Sequence, residues 1–331
     1  MAVLVTGGAG YIGSHMALAL VDAGEEVVVL DDLSTGFARA VHSKARFVEG
    51  DVADEALVLR LIAEHGIDAV IHFAARIVVP DSVADPLGYY LANTVKSRAL
   101  MAATIAAGVR RFVFSSTAAV YGMPAENPVS ENAPTTPISP YGTSKLMTEW
   151  MLRDAGAAHG LNCVALRYFN VAGADPAGRS GQSTPNATHL IKVACETALG
   201  KRNRMEVFGT DYPTADGTCV RDYIHVTDLV AAHLEALKHL RAGGGSLTLN
   251  CGYGRGYSVL EVIDTVKRLS GKDFPVFYAP RRPGDPAAIV ARADRVRAEL
   301  GWQPKLDNLS TIVTHALAWE RALESWRTAA E

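Results

Sequence analysis

Tyr141 and Lys145 stand four residues apart in the run Tyr141-Gly142-Thr143-Ser144-Lys145. On a helix that spacing puts both side chains on one face, one turn apart. The pair suits acid–base chemistry at a hydroxyl. A free phenol has a pKa near 10, and a neighbouring ammonium lowers it by favouring the phenolate. Thr117 closes Ser115-Ser116-Thr117 just after a predicted strand and could hand a proton between a substrate hydroxyl and Tyr141. Taken alone, these residues also read as an exposed Tyr/Lys helix pair and a threonine at a strand end. A second motif decides between the two.

That motif is Thr6-Gly7-Gly8-Ala9-Gly10-Tyr11-Ile12-Gly13, set between a predicted strand and a predicted helix. Glycines at 7, 10 and 13 let the chain turn tightly, admit a pyrophosphate against the backbone and bring the helix close to the sheet. The free N–H groups and dipole of the helix N-terminus then face the phosphates. Asp31 ends the second strand 18 residues after Gly13. A carboxylate there accepts from the adenosine ribose hydroxyls and repels a 2′-phosphate, so the expected dinucleotide is NAD rather than NADP. Asp51-Val52, after the third strand, fall where an adenine edge would lie.

The elements that must position these residues alternate in type. Strands are predicted at Ala2–Val5, Val27–Leu30, Phe47–Glu49, Ala69–Phe73, Arg111–Ser115 and Cys163–Arg167, with helices at Tyr11–Ala23, Asp54–Glu64, Leu87–Ala107 and from Tyr141 onward. Continuous apolar strands alternating with helices mean a parallel sheet covered on both faces, hence an α/β, Rossmann-type doubly wound fold. After about Val171 the pattern changes. Ala172–Pro185 and Asp211–Gly217 are turn-rich, helices are predicted at Thr188–Gly200, Asp228–Leu240, Leu260–Leu269 and Asn308–Glu324, and one strand at Leu247–Asn250. The expected division is a cofactor-binding domain of residues 1–170, joined by 220–252, and a smaller, mostly helical substrate domain of 171–219 and 253–331.

Composition bounds the partners. The 331 residues carry 32 Lys+Arg against 35 Asp+Glu, so no broad basic face marks a nucleic acid or an anionic membrane as partner. Any bound anion is then small and held by a few placed groups. Cys163, Cys195, Cys219 and Cys251 lie 24 to 32 residues apart, with neither a CxxC pair nor a Cys/His cluster. That spacing fits reduced cysteines, not a zinc site or disulfide framework, and no metal is expected. Met1–Val21 carries no charged side chain and is interrupted by Thr6, four glycines, Ser14 and His15. It reads as folded protein rather than a signal peptide, and the expected compartment is the cytoplasm.

The GxxGxxG spacing followed by YxxxK resembles the extended short-chain dehydrogenase/reductase superfamily. Within it, Arg167-Tyr168-Phe169-Asn170, the run from Gly209 to Val226 (GTDYPTADGTCVRDYIHV) and Arg281-Arg282-Pro283-Gly284-Asp285 resemble the UDP-glucose 4-epimerase family over essentially the whole chain. The resemblance implies a cofactor set of Gly7, Gly10, Tyr11, Ile12, Gly13, Asp31, Asp32, Ser34, Gly36, Asp51, Val52, Phe73, Ala74, Ala75, Tyr141, Lys145 and Tyr168. It implies a UDP-sugar set of Thr117, Tyr141, Asn170, His189, Leu190, Phe208, Arg221, Arg282 and Asp285. Arg221 and Arg282 would neutralise the diphosphate, and Phe208 would offer apolar surface to uracil or its ribose. The implied activity is reversible inversion at C4 of the sugar in UDP-galactose and UDP-glucose, with tightly bound NAD as hydride acceptor and donor and with Tyr141, Lys145 and Thr117 as catalytic residues. Lys145 and the positive nicotinamide ring would together lower the Tyr141 pKa. A homodimer is implied too, its helices near Leu87–Ala107 and Tyr141–Ala158 pairing as a four-helix bundle.

Several positions depart from the family pattern. Ile77 stands where many members have a lysine near the cofactor, Ala92 where an asparagine is common, and His189 replaces an asparagine. Contacts at 77 and 92 would then be lost, or made by Arg76 and Asn93. Ile289 holds the position whose size gates the sugar pocket, which leaves UDP-N-acetylglucosamine or UDP-xylose/arabinose as alternative substrates. Ala118 and Ala119 occupy the place of the acid that sugar-nucleotide dehydratases need, and a methyl group cannot donate a proton. A non-catalytic NAD-binding regulator is the remaining reading, and intact Tyr141 and Lys145 weigh against it.

Overall fold

Aliphatic runs without polar alternation form the buried strands of the computed structural model, which describes residues 1–282 and 284–328. Of the site motifs only Pro283 lies outside the described residues. The first six strands are β1 (Ala2–Thr6), β2 (Glu26–Asp31), β3 (Arg46–Glu49), β4 (Ile67–His72), β5 (Arg111–Thr117) and β6 (Asn162–Tyr168). They are followed by β7 (Asn170–Ala172), β8 (Met205–Phe208), β9 (Val220–His225) and β10 (Leu247–Cys251). Seven of these make one parallel sheet in the order β10-β6-β5-β4-β1-β2-β3. The order departs in both directions from β1, so the carboxyl ends of β1 and β4 flank the crevice where a doubly wound sheet binds its ligand.

Alternate side chains of each strand feed two apolar layers. Val3, Val5, Val27 and Val29 pack with α1 (Tyr11–Asp22), while Ala2, Leu4, Val28 and Leu30 pack with α2 (Glu55–His65) on the opposite face. Asp54 caps α2 by accepting from the Leu57 N–H, and Gly66 closes it in the left-handed conformation.

A continuous helix was expected over Leu87–Ala107. The structure instead has α3 (Val79–Ala84), α4 (Pro86–Tyr89), a π-helical turn over Tyr90–Val95 and then α5 (Lys96–Ala106). The wider turn directs Asn93 inward, where its side chain accepts from the Arg76 N–H at 2.8 Å and donates to the Arg76 carbonyl at 2.9 Å. The next helix, α6 (Pro140–His159), starts at a Ser139 cap with Pro140 in its first turn, which sets Tyr141 at the mouth of the helix.

The second half holds more strand than the sequence predicts. After α7 (Leu190–Ala198) and α8 (Val226–Arg241) come β11 (Gly256–Ser258), α9 (Val259–Ser270), β12 (Val276–Ala279), β13 (Ala288–Ile289), α10 (Asp294–Leu300) and α11 (Leu309–Thr328). β9 pairs with β7 and β13 in parallel and with β11 antiparallel, while β8 and β12 form a separate pair. Most of these strands are two to four residues long, too short to show a periodicity. One apolar cluster nevertheless runs from Val3 through Leu229 and Val262 to Leu317 without a break. Asp228 of α8 reinforces it, accepting from the Tyr253 hydroxyl at 2.7 Å and from the Lys305 and Leu306 N–H groups at 3.0 and 2.8 Å.

Candidate active site

The glycine loop leaves no room for side chains. Gly7 has φ +70°, and a Cβ there would lie 2.5 Å from the Ala74 nitrogen; one on Gly13 would lie 2.1 Å from the Gly7 carbonyl oxygen. Gly10 begins α1 with no side-chain cap, so the loop offers its backbone to a ligand. Asp31 is buried at the end of β2, with Oδ2 accepting from Ala9 N–H and Oδ1 from Leu33 N–H, both at 2.9 Å. Burial raises its pKa, against those two bonds. The carboxylate thus ties the glycine loop to the β2 exit, and each oxygen keeps a lone pair for a ribose hydroxyl. A cradle with no room for a Cβ at Gly7 or Gly13, beside a fixed carboxylate, fits NAD.

Around that cradle, Asp32 accepts from both the N–H and the hydroxyl of Ser34, and Gly36 packs directly on Ala9. Asp51 receives Lys96 Nζ at 2.5 Å, with Val52 buried beside it. Phe73 follows β4 with its N–H on the Thr6 carbonyl, leading into Ala74 and Ala75. Beneath them His72 bridges Thr6 and Ser97 at 2.6 and 2.8 Å. Ile77 is exposed. Arg76 turns to Asp85 and lies over the Tyr89 ring, and Asn93 is occupied by Arg76 and Ser144.

The acid–base residues meet where α6 crosses the end of β5. Tyr141 and Lys145 are both buried. The Thr117 side chain neighbours the Tyr141 phenol and favours its ionised form, and it accepts the Ala119 N–H at 3.1 Å. Lys145 Nζ donates to the Ser115 carbonyl at 3.0 Å and lies 5.0 Å from the Phe114 ring centroid. Tyr168, at the end of β6, hydrogen-bonds the Ser115 hydroxyl. Burial pushes the Tyr141 phenol up to about 12, and the neighbouring Thr117 side chain draws it back. Burial also lowers Lys145 to about 7.

The sugar side gathers less tightly. A pocket open to solvent is lined by Asn170, His189 and Leu190 together with Tyr11, Gln182, Tyr223, Trp319 and Glu320. Arg221 donates to Asp285 at 2.6 Å, and the Arg282 guanidinium stacks 3.8 Å from the Phe208 ring centroid. Those four residues do not line the pocket. Ile289 pairs in register with Arg221 and is nearly buried. Sequence reasoning missed Tyr223 and the α11 residues Trp319 and Glu320. Tyr223 lies inside the quoted long motif, whereas nothing local to α11 signals its role.

With this geometry in place, the comparisons are direct. The model of the NAD dependent epimerase/dehydratase family matches residues 3–252. The chain is 62% identical over 322 residues to a UDP-glucose 4-epimerase of Azospirillum brasilense, spanning 97% of this chain and 92% of that one. It superposes on a UDP-glucose 4-epimerase from Brucella ovis in complex with NAD with a TM-score of 0.93 at 44% identity, over 96% and 97% of the two chains. A third relative, the UDP-glucose-4-epimerase from Stenotrophomonas maltophila with bound NAD and formylated UDP-arabinopyranose, gives 0.95 at 41% identity over 98% and 99%. The chain belongs to the NAD dependent epimerase/dehydratase family.

Proposed function

We propose that this protein interconverts UDP-galactose and UDP-glucose by inverting C4 of the sugar, using NAD. The observation that carries the reading is the apposition of Tyr141 and Thr117 at the carboxyl end of β5, beside the glycine cradle. Bound NAD supplies a reversible acceptor for the C4 hydride. Tyr141 takes the C4 hydroxyl proton, directly or through Thr117, and returns it after the 4-keto sugar has turned over. Lys145 and Tyr168 hold the β5 exit through Ser115. Arg221, Arg282 and Phe208 anchor the UDP moiety, with Asn170, His189, Leu190 and Asp285 around it, so the sugar can rotate while the nucleotide stays in place. Gly7, Gly10, Tyr11, Ile12, Gly13, Asp31, Asp32, Ser34, Gly36, Asp51, Val52, Phe73, Ala74 and Ala75 form the cofactor side.

The cofactor domain is assigned to residues 1–170 with 220–252, and the sugar domain to the rest. Four free, buried cysteines support a reducing compartment, the cytoplasm. No helix among the described residues is long and apolar enough to cross a membrane. Val83, Leu87, Leu91 and Val95 are exposed at four-residue intervals, and Met147 and Trp150 of α6 are exposed too. Such an apolar stripe supports a homodimer through α3–α6.

Purified protein mixed with UDP-galactose and no added NAD tests the reading, followed by the anomeric proton signals in NMR. Growth of UDP-glucose signals is the expected result. If UDP-galactose stays unchanged even with NAD supplied, the hexose assignment is wrong, and N-acetylhexosamine or pentose nucleotides become the substrates to try at the Ile289 gate.

A further inference from the structure

Glu149 lies two turns beyond Tyr141 and one beyond Lys145, on the same face of α6. Its side chain is 7% exposed, yet it carries a full set of partners. Oε1 accepts from the Ser116 hydroxyl at 2.5 Å and from Arg167 Nε at 2.9 Å, and Oε2 from Arg167 Nη2 at 2.6 Å. Arg167, on β6, continues through Nη1 to the Tyr121 hydroxyl at 3.0 Å, and Tyr121 donates to Asn250 Oδ1 on β10 at 2.6 Å.

Three consecutive residues of β5 therefore face α6. Lys145 takes the Ser115 carbonyl and Glu149 the Ser116 hydroxyl, while Tyr141 lies beside the Thr117 side chain. A buried charge pair is a costly way to join a helix to a strand if adhesion alone is needed, because apolar residues of similar volume do as well. What it adds is direction: two fork bonds and one hydroxyl bond admit a single register of α6 on β5 and β6.

We propose that Glu149 is a positioning residue for the epimerisation site, fixing through Ser116 and Arg167 the register that brings the Tyr141 phenol to Thr117. The inference rests on the proposed reaction, but one of its tests does not. Ser116→Ala removes only the hydroxyl that joins Glu149 to the strand, and Glu149→Gln keeps the shape while removing the charge. Each variant is compared with the wild type in NAD content, melting temperature, kcat and KM for UDP-galactose, and the titration of the Tyr141 ring. That titration is read from tyrosine ¹³Cζ NMR, with the Tyr141 signal assigned by its loss in Tyr141→Phe. Tyr89 and Tyr168 are the other titratable groups that act on Tyr141.

Both variants are expected to retain NAD, to lower kcat at least about 10-fold for Glu149→Gln with KM little changed, and to raise the Tyr141 midpoint as the Thr117 side chain moves away from the phenol. A folded Ser116→Ala with wild-type kcat and a wild-type Tyr141 midpoint overturns the proposal, whether or not Glu149→Gln folds. If the wild type does not act on UDP-galactose, the reaction reading fails by itself. The Tyr141 midpoint in Ser116→Ala still decides the positioning role.

Discussion

The Lys145 ammonium rests 3.0 Å from the carbonyl oxygen of Ser115. That bond uses one of its three N–H donors, in a pocket where burial has brought its pKa down to about 7. Tyr141, pushed up to about 12 by the same burial, needs added positive charge and the nearby Thr117 side chain to ionise near neutrality. Tyr141→Phe should therefore reduce kcat by about 10²- to 10⁴-fold with KM little affected. Lys145→Met should also slow turnover and move the basic midpoint of the rate profile to higher pH. Steady-state kinetics across pH 6 to 10 checks both, and an unshifted profile in Lys145→Met would show that its charge does not reach the phenol.

Gly13→Ala places a methyl group 2.1 Å from the Gly7 carbonyl, against backbone that cannot yield. Relieving it costs about 1–3 kcal/mol. The same range corresponds to about 5- to 140-fold weaker retention of NAD. Counting NAD per chain after denaturation reads the outcome directly. Full occupancy in the variant would mean that the loop is not where the dinucleotide binds.

Acid should weaken the fold. His15, His72, His225 and His233 are all buried, and burial holds them down at about 3 to 4. In the unfolded chain they take a proton near pH 6.5, so between pH 6.5 and 4 the unfolded state binds more protons and stability falls as pH falls. Each such group is worth about 1.4 kcal/mol per pH unit within its window. Asp222, pushed up to about 6 by burial, runs the other way between pH 6 and 3.8. Four groups oppose one, and the urea midpoint should drop between pH 7 and 5. A flat midpoint would reject the account.

Leu91→Arg and Trp150→Arg put charge on the exposed stripe of α3–α6. Both should turn a dimer into a 35.2 kDa monomer in light scattering, with the melting temperature of the isolated chain little changed. A wild type already monomeric at micromolar concentration would remove the dimer reading.

The cofactor side was legible because each of its constraints is local. Gly7, Gly10 and Gly13 follow a strand and open a helix, Asp31 ends the next strand, and Tyr141 and Lys145 share one helical face. Most strands of the large sheet announced themselves by aliphatic runs, whereas β3 reads RFVE and has no buried residue. What stayed hidden is made by long-range pairing: β13 is two residues long, β9 finds partners on both sides, and Glu149 matters through Arg167 on another element. The π turn at Tyr90–Val95 was hidden too, since one extra residue in a turn leaves the apolar spacing almost intact. The push of burial on the Tyr141 phenol was not legible either. Sequence shows neighbours, whereas desolvation depends on everything packed around them.

The apolar cluster that joins β1 to α11 has no seam, and Asp228 stitches the chain near residue 305 to the helix that covers the large sheet. A cut after residue 170 would strip the cover from one face of that sheet. The two proposed domains should therefore melt together, in one cooperative step. Nucleotide sugar bound at one end delays unfolding of the other, by RT ln(1 + [L]/Kd). Heat resistance in a cell then tracks the supply of both ligands, and starvation for either leaves the whole chain more open to proteases.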